Sequence, residues 1–294
     1  MGRARHDRVA IAAGGGNDIV ARVIARALTG KLAKTVIVEN KPGAGGVNAV
    51  RVVRSAAPDG RTLLYSASIT EIQSAKDNPL YDLRQDLVPV IAISEGPLVL
   101  YVASELPVNS LQQLIEFDTR NPGKLSYASF GVGSVPHLSF ELLKQRTKMT
   151  MVHVPYRSAL EAQNAVLTNQ VQLSMETYAS VLQQIDSGKF RAIAVTGTKR
   201  ERRAPEVPTI IESGVSDFEI TTTSGLLAPK GTPVETINLL NEMLNAALRD
   251  PEVPKAIDRV GWEVVGGPAS RYQASLQKSI SEFRKLILAA GLTF

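Results

Sequence analysis

Strand-like and helix-like segments alternate along most of the chain, which predicts an α/β fold with largely parallel sheets. Glycine or small polar turns follow the strand-like runs at 13–18, 66–70, 129–136 and 155–158, and at least three of these open a helix. The 294 residues, 44% of them hydrophobic, are enough for a substantial core and suggest about two domains. No repeat, low-complexity tract or long linker interrupts them, so strand crossovers rather than a flexible tether are expected to join the halves.

Taken in order, residues 9–12 have the composition of a buried strand. They lead into Ala13-Gly14-Gly15-Gly16-Asn17-Asp18. Ile19, Val20, Val23, Ile24, Ala27 and Leu28 then recur at helical spacing, with Arg22 and Arg26 on the other face and Asn17 or Asp18 as the N-cap. Residues 35–39 read as a strand, 40–46 as a turn, and 47–57 as a helix broken by Pro58-Asp59-Gly60. The strand at 62–65 runs into the small polar stretch Ser66-Ala67-Ser68-Ile69-Thr70, and 88–93 and 98–102 are further strands. Ser110 caps a helix to Asn121, closed by Pro122-Gly123.

A strand at 125–128 leads to a second glycine turn, Ser129-Phe130-Gly131-Val132-Gly133-Ser134. Pro136 suits the first position of the helix that follows, which runs to about Thr147. Residues 151–154 form a strand, and Pro155-Tyr156-Arg157-Ser158 leads to another helix. The strand at 171–175 ends at Glu176-Thr177, a short helix follows, and 192–195 is again a strand. Thr232-Pro233-Val234-Glu235 reads as a capping box with proline at the first helical position, for a helix to about Arg249. From 270 to 290 an amphipathic helix closes the chain. Tyr272, Leu276, Ile280, Phe283 and Ile287 share its apolar face and Gly291 stops it.

The chemistry is read from the turns. Glycines clear side chains between a strand end and a helix start, so a ligand can approach the backbone while the first helical amides point at an anion. A plain tight turn is the alternative. A nucleotide P-loop is excluded because no Gly-Lys-Ser/Thr follows, and Val20 stands where a dinucleotide fingerprint from Gly15 needs its last glycine. Ligands of α/β sheets sit at the carboxyl ends of the strands, so two glycine turns in separate halves are placed to present amides to one anion from opposite sides.

Composition narrows this further. With no cysteine, disulfides, thiol catalysis and cysteine metal sites are excluded. The excess of 33 Lys+Arg over 28 Asp+Glu favours an anionic ligand slightly, while nucleic-acid binding needs a denser patch. The run Lys199-Arg200-Glu201-Arg202-Arg203 reads as a solvated loop. No apolar run approaches the ~20 residues of a membrane span. Met1-Gly2-Arg3-Ala4-Arg5-His6 is basic without an apolar segment behind it, which suits a cytosolic chain or an exported one whose signal peptide has been removed. His6 lies in this leader, His137 opens a helix where packing or capping is the default, and His153 reads as a satisfied core histidine. There is no histidine metal spacing and no G-x-S-x-G elbow, and Glu39 and Asp59 lack a carboxylate partner. The expectation is a binding protein with no catalytic residue, metal or cofactor. Its rivals are a phosphate- or carboxylate-handling α/β enzyme, which needs an acid, a base or a metal cluster, and a cytosolic effector-sensing domain, which needs a DNA-reading helix-turn-helix.

One ordered set of motifs carries a resemblance. Gly14-Gly15-Gly16-Asn17-Asp18 is followed by Val38-Glu39-Asn40-Lys41-Pro42-Gly43-Ala44-Gly45-Gly46 and Ala57-Pro58-Asp59-Gly60. Then come Asn121-Pro122-Gly123-Lys124-Leu125, Val152-His153-Val154-Pro155-Tyr156, Val207-Pro208-Thr209 and Gly225-Leu226-Leu227-Ala228-Pro229. From about Val9 to Gly291 the chain resembles the Bug family of extracytoplasmic solute receptors, the substrate-binding components of tripartite tricarboxylate transporters.

The resemblance implies a two-lobed, type II periplasmic-binding-protein fold with hinge crossovers near 98–102 and Gly225. Lobe 1 would take 1–100 and 225–294, and lobe 2 would take 101–224. It also implies a periplasmic monomer that closes on a small carboxylate and hands it to membrane transporter subunits, without nucleic acid. Carried over, the carboxylate is held by Gly16, Asn17 and Asp18 on one side and by Ser129, Gly133 and Ser134 on the other. Ser66 and Ser68 lie on a second loop of the first lobe, and Tyr156 and Glu176 face from the second. Arg157 stands where the family commonly has lysine; its planar fork either pairs with a distal ligand carboxylate or faces solvent. Glu176 either recognises a ligand amine or caps the hinge. The chain departs from the family at Ala10 and Ile11, where a Pro-Phe pair is usual, and at Thr223 or Ser224, where a Trp is usual. Both changes remove aromatic wall, so ligand identity is not inherited.

Overall fold

The computed structural model describes residues 7–11, 16–32, 35–41 and 44–292. The leader at 1–6, the glycines at 14–15 and the turn residues 42–43 lie outside these. In chain order the elements are β1 (Asp7–Ile11), α1 (Gly16–Leu32), β2 (Val36–Asn40), a 3₁₀ turn (Ala44–Gly46) running into α2 (Val47–Arg54), β3 (Thr62–Ala67), α3 (Ser68–Ser74), α4 (Leu83–Asp86), β4 (Leu87–Pro97) and β5 (Val99–Ala103). There follow α5 (Leu111–Arg120), β6 (Ser126–Ser129), α6 (Val135–Thr147), β7 (Val152–Pro155), α7 (Ala159–Leu167), β8 (Leu173–Glu176), α8 (Tyr178–Asp186) and β9 (Phe190–Val195). The last are β10 (Thr221–Pro229), α9 (Val234–Leu248), α10 (Glu252–Arg259), β11 (Glu263–Val264) and α11 (Ala269–Ala289).

The chain divides into two compact units, one of residues 1–95 with 223–284, the other of 96–222 with 285–294. The first holds a six-stranded sheet in the order β11-β4-β10-β3-β1-β2, the second a five-stranded sheet in the order β7-β6-β8-β5-β9. Both sheets are mixed, which corrects the expectation of largely parallel ones. β1 pairs in parallel with β2 and β3, but β10 runs antiparallel to β3, and β11 to β4. Likewise β6 is parallel to β7 and β8, whereas β5 is antiparallel to both β8 and β9.

In the first unit the helical spacing of α1 buries Val20, Val23, Ile24 and Leu28 while Arg22 and Arg26 stay exposed. These residues join Leu63, Tyr65, Ile91, Leu226 and Leu244 in one apolar core. The stripe predicted on α11 is buried at all five positions. The second unit has a core of Val99, Tyr101, Ala128, Val166, Val181 and Phe190 on one side of its sheet. Against Tyr127 lies the Phe140 ring at 4.2 Å. Residues 198–200 and 202 are exposed, as expected of the basic run.

Several local expectations give way. α1 already begins at Gly16, so Asn17 and Asp18 sit inside its first turn rather than capping it. α2 ends at Arg54, and the polar stretch after β3 is not a turn but helix α3. Pro136 takes the second helical position of α6 behind Val135, where a missing N–H is equally harmless. The capping box at α9 does not form. Pro233 is the N-cap, and the Thr232 hydroxyl donates to the Pro229 carbonyl at 2.8 Å, closing the preceding turn instead.

Candidate functional site

In the second unit three parallel strands deliver their carboxyl ends to one sheet edge. Register pairs Ser129 with Pro155, and Ala128 with Ser174, so the glycine turn, the segment after β7 and the end of β8 are neighbours. The structure thus brings Ser129, Gly133, Ser134, Tyr156, Arg157 and Glu176 to a single edge. The turn owes its shape to φ of 121° at Gly131 and 77° at Gly133, a left-handed backbone that side chains disfavour.

Hydrogen bonds inside the turn fix it. Ser129 Oγ accepts from the Gly131 N–H at 3.2 Å and lies 2.7 Å from His153 Nε2. The Gly133 N–H donates to His137 Nδ1 at 3.0 Å, and Ser134 Oγ donates to the Gly131 carbonyl at 2.7 Å. Because Ser134 bends back in this way, the first amides of α6 have no side-chain cap and keep the partial positive charge of a helix start. Phe130 and Val132 stand exposed at the tip. His137 accepts from the turn and His153 meets Ser129, which agrees with reading both histidines as structural.

The other residues of this edge differ in what they leave free. The Tyr156 N–H donates to the Ser129 carbonyl at 2.8 Å and its ring packs on the unit's apolar core. Arg157 is exposed, and its N–H is bonded to Glu161. Glu176 is buried, and its Oε1 finds no partner among the described residues. Burial pushes its carboxyl up to about 7, against the pull of the Thr177 backbone.

In the first unit, β1 pairs Ile11 with Tyr65, and β10 pairs Ser224 with Ala67. The start of α1, residues 66–68 and residues 223–224 therefore follow one edge. A Cβ at Gly16 would meet Val260 at 3.2 Å, so close packing favours a glycine here. The Asp18 carboxylate is held by Arg22 at 2.8 Å and by the Asn40 amide at 2.9 Å, and the Arg22 hydrogen bonds keep its pKa low. Only its main chain can serve an anion, since its side chain repels one. Asn17 Oδ1 is buried and has no partner among the described residues. Ser66 Oγ pairs with Thr70 Oγ1 at 2.7 Å, whereas Ser68 Oγ accepts from the Thr223 N–H at 3.0 Å and keeps its own hydrogen for an acceptor.

Sequence reasoning missed Glu71. It lies fully buried on α3 and accepts from Thr223 Oγ1 at 2.9 Å and from Ser279 Oγ. The polar residues at 223 and 224 serve buried bonds of this kind. Ser224 Oγ lies 3.0 Å from Tyr65 Oη and 2.7 Å from Ser94 Oγ. No group of three or more His, Cys, Asp or Glu able to hold a metal occurs among the described residues.

A family model described as "Tripartite tricarboxylate transporter family receptor" matches residues 20–292. The chain belongs to this family. Its solved relatives include the periplasmic binding protein BugD, 32% identical over 99% of both chains with a TM-score of 0.82. Rpa4515 of R. palustris, solved with adipate, is 28% identical over 98% of both chains with a TM-score of 0.85. MatC of Rhodopseudomonas palustris, solved with bound malate, is 28% identical over 96% of this chain and 99% of that one, with a TM-score of 0.82. The fold is that of periplasmic binding proteins, and the chain is an extracytoplasmic solute-binding receptor. Among its described residues no helix is long and apolar enough to cross a membrane.

Proposed function

We propose that this receptor captures a small carboxylate in the periplasm and delivers it, as a monomer, to the membrane subunits of a tripartite tricarboxylate transporter, by binding rather than by turnover. The observation that carries this reading is the turn at 129–134. Its uncapped first helical amides, behind glycines that carry no side chain, are the donors that suit a carboxylate, in a family whose relatives were solved with malate and with adipate. In the first unit the main chain of 16–18 and the free hydrogen of the Ser68 hydroxyl are donors of the same kind. Ser66, committed to Thr70, supports that loop from behind, and Tyr156 supports the turn through its N–H. The unpartnered oxygen of Glu176 suits a hydroxyl or ammonium on the acid's backbone, and Arg157 reaches only a distal group.

A thermal-shift panel of C4 to C6 dicarboxylates, hydroxy acids, acidic amino acids and aromatic acids tests this. A ligand at a hundred times its Kd stabilises the native state by about 2.7 kcal/mol, a rise of several degrees in the melting temperature. At least one acid is expected to give such a rise and its amide or ester none. A flat response across the panel rejects the reading.

A further inference from the structure

The turn that carries Ser129, Gly133 and Ser134 rests on two imidazoles. The Gly133 N–H donates to His137 Nδ1 at 3.0 Å, so neutral His137 holds its hydrogen on Nε2, which lies 3.9 Å from Glu141 Oε1. The His137 and His153 rings stack with centroids 3.9 Å apart and 14° between their planes, and His153 Nε2 reaches Ser129 Oγ. Helix α6 and strands β6 and β7 thus meet at both ends of the turn through this one pair.

The charged and titratable groups around the pair come from two elements. From α6 come Glu141 and Lys144, which bond each other at 2.9 Å, and from β6 comes Tyr127, whose hydroxyl donates to the same Glu141 oxygen. Glu141, the carboxylate that acts on both rings, is therefore already shared between two donors. Burial holds both imidazoles below the ordinary histidine value, and the neighbouring ring adds to this for His153, which is brought down to about 4. A lone pair that accepts a main-chain N–H cannot also carry a proton. Protonated at Nδ1, His137 would turn a donor toward the Gly133 N–H, and a second positive ring 3.9 Å away would be repelled.

We propose that His137, with His153 stacked on it, positions the 129–134 turn for carboxylate binding, and that acid releases this hold when His137 takes up a proton. The inference rests on the reading that this turn receives the acid. It makes His137 a positioning residue: it sets the Gly133 amide and touches no ligand.

The test compares the unaltered protein with His137→Leu, which has no acceptor, and His137→Asn, which offers an acceptor at the place of Nδ1 but does not titrate. Malate and adipate binding is measured by calorimetry at pH 7.5 and 4.5, and the Gly133 amide is followed by NMR hydrogen exchange without ligand. At pH 7.5, His137→Leu is expected to weaken binding about tenfold, the size of one hydrogen bond, and His137→Asn to recover most of that loss. Between pH 7.5 and 4.5 the affinity of the unaltered protein is expected to fall further than that of His137→Asn, by up to about tenfold at full protonation of His137, because protonation of the probe itself affects both alike. Equal pH profiles for these two proteins, or undiminished binding by His137→Leu, overturn the proposal. Should neither acid bind the unaltered protein at pH 7.5, the carboxylate reading fails for these probes and the exchange arm still decides. Protection of the Gly133 amide that is lost in acid, and not lost in His137→Asn, supports the positioning role; protection indifferent to pH removes it. The exchange arm on the unaltered protein stands even if His137→Leu does not fold.

Discussion

Glu71 illustrates what a single residue contributes and why sequence could not show it. Its carboxyl is buried among Thr223, Ser279 and the rings of Tyr81 and Tyr272, and burial raises its pKa to about 7 despite the two hydroxyl donors. Its partners stand 152 and 208 positions away in the chain, and no local pattern marks a lone Glu in a polar stretch as buried. The glycine turn at 129–134 was legible because its special backbone is written in its own residues. For a carboxyl raised in the folded state, the native protein holds the proton more tightly than the unfolded chain. Stability from this group is full below its unfolded pKa and is lost as pH rises through about 7. The loss is up to about 3 kcal/mol at 1.36 kcal/mol per unit. Glu71→Gln, whose amide the rotating hydroxyls can still meet, is expected to flatten this part of the slope in denaturant melts between pH 5 and 8. Glu176, raised in the same sense, adds a slope of its own that Glu176→Gln removes. An unchanged pH profile in Glu71→Gln means that its carboxyl titrates normally.

At the scale of elements, the long apolar helices and the strands β1, β2 and β6 were readable from periodicity, because each buries one continuous stripe or run. β10 was not. Its first half is Thr221-Thr222-Thr223-Ser224, where the hydroxyls of Thr222, Thr223 and Ser224 find partners only after folding, and only the second half looks like a strand. α10 escaped because Pro251 and Pro254 punctuate it, although both lie at its start, where the missing N–H groups cost nothing. β10 and α11 then meet at Gly225 without clearance: a Cβ there would come within 2.2 Å of Tyr272 Cζ. Gly225→Ala is expected to destabilise the protein by about 1–3 kcal/mol, the usual cost of overpacking. Tyr272→Leu, which shortens the opposing side chain, should make the double variant less unstable than the sum of the two single changes. Strict additivity in denaturant melts would show that the ring moves aside freely.

For the whole molecule, the ordered motifs were enough to read the fold, because each marks a turn or strand end that the architecture needs in that order. The antiparallel directions of β5 and β10 were hidden, since direction within a sheet is set by long-range pairing and not by the composition of either strand. The chain passes between its two units after Glu95, after Thr222 and after Arg284. Three passages allow a hinge but fix no state of it. If the donors of both edges engage one acid, binding must couple the units, and the liganded population shifts toward whichever arrangement satisfies both sets of donors. Small-angle scattering with the best acid of the panel is then expected to give a smaller radius of gyration than without it. A variant with the turn disabled, His137→Leu at the same acid concentration, should show less of the change. Compaction of equal size in both proteins would place the effect elsewhere than the turn. Tight binding with no change in radius would mean that one edge alone holds the acid, and that the second unit takes part only after the receptor meets its transporter.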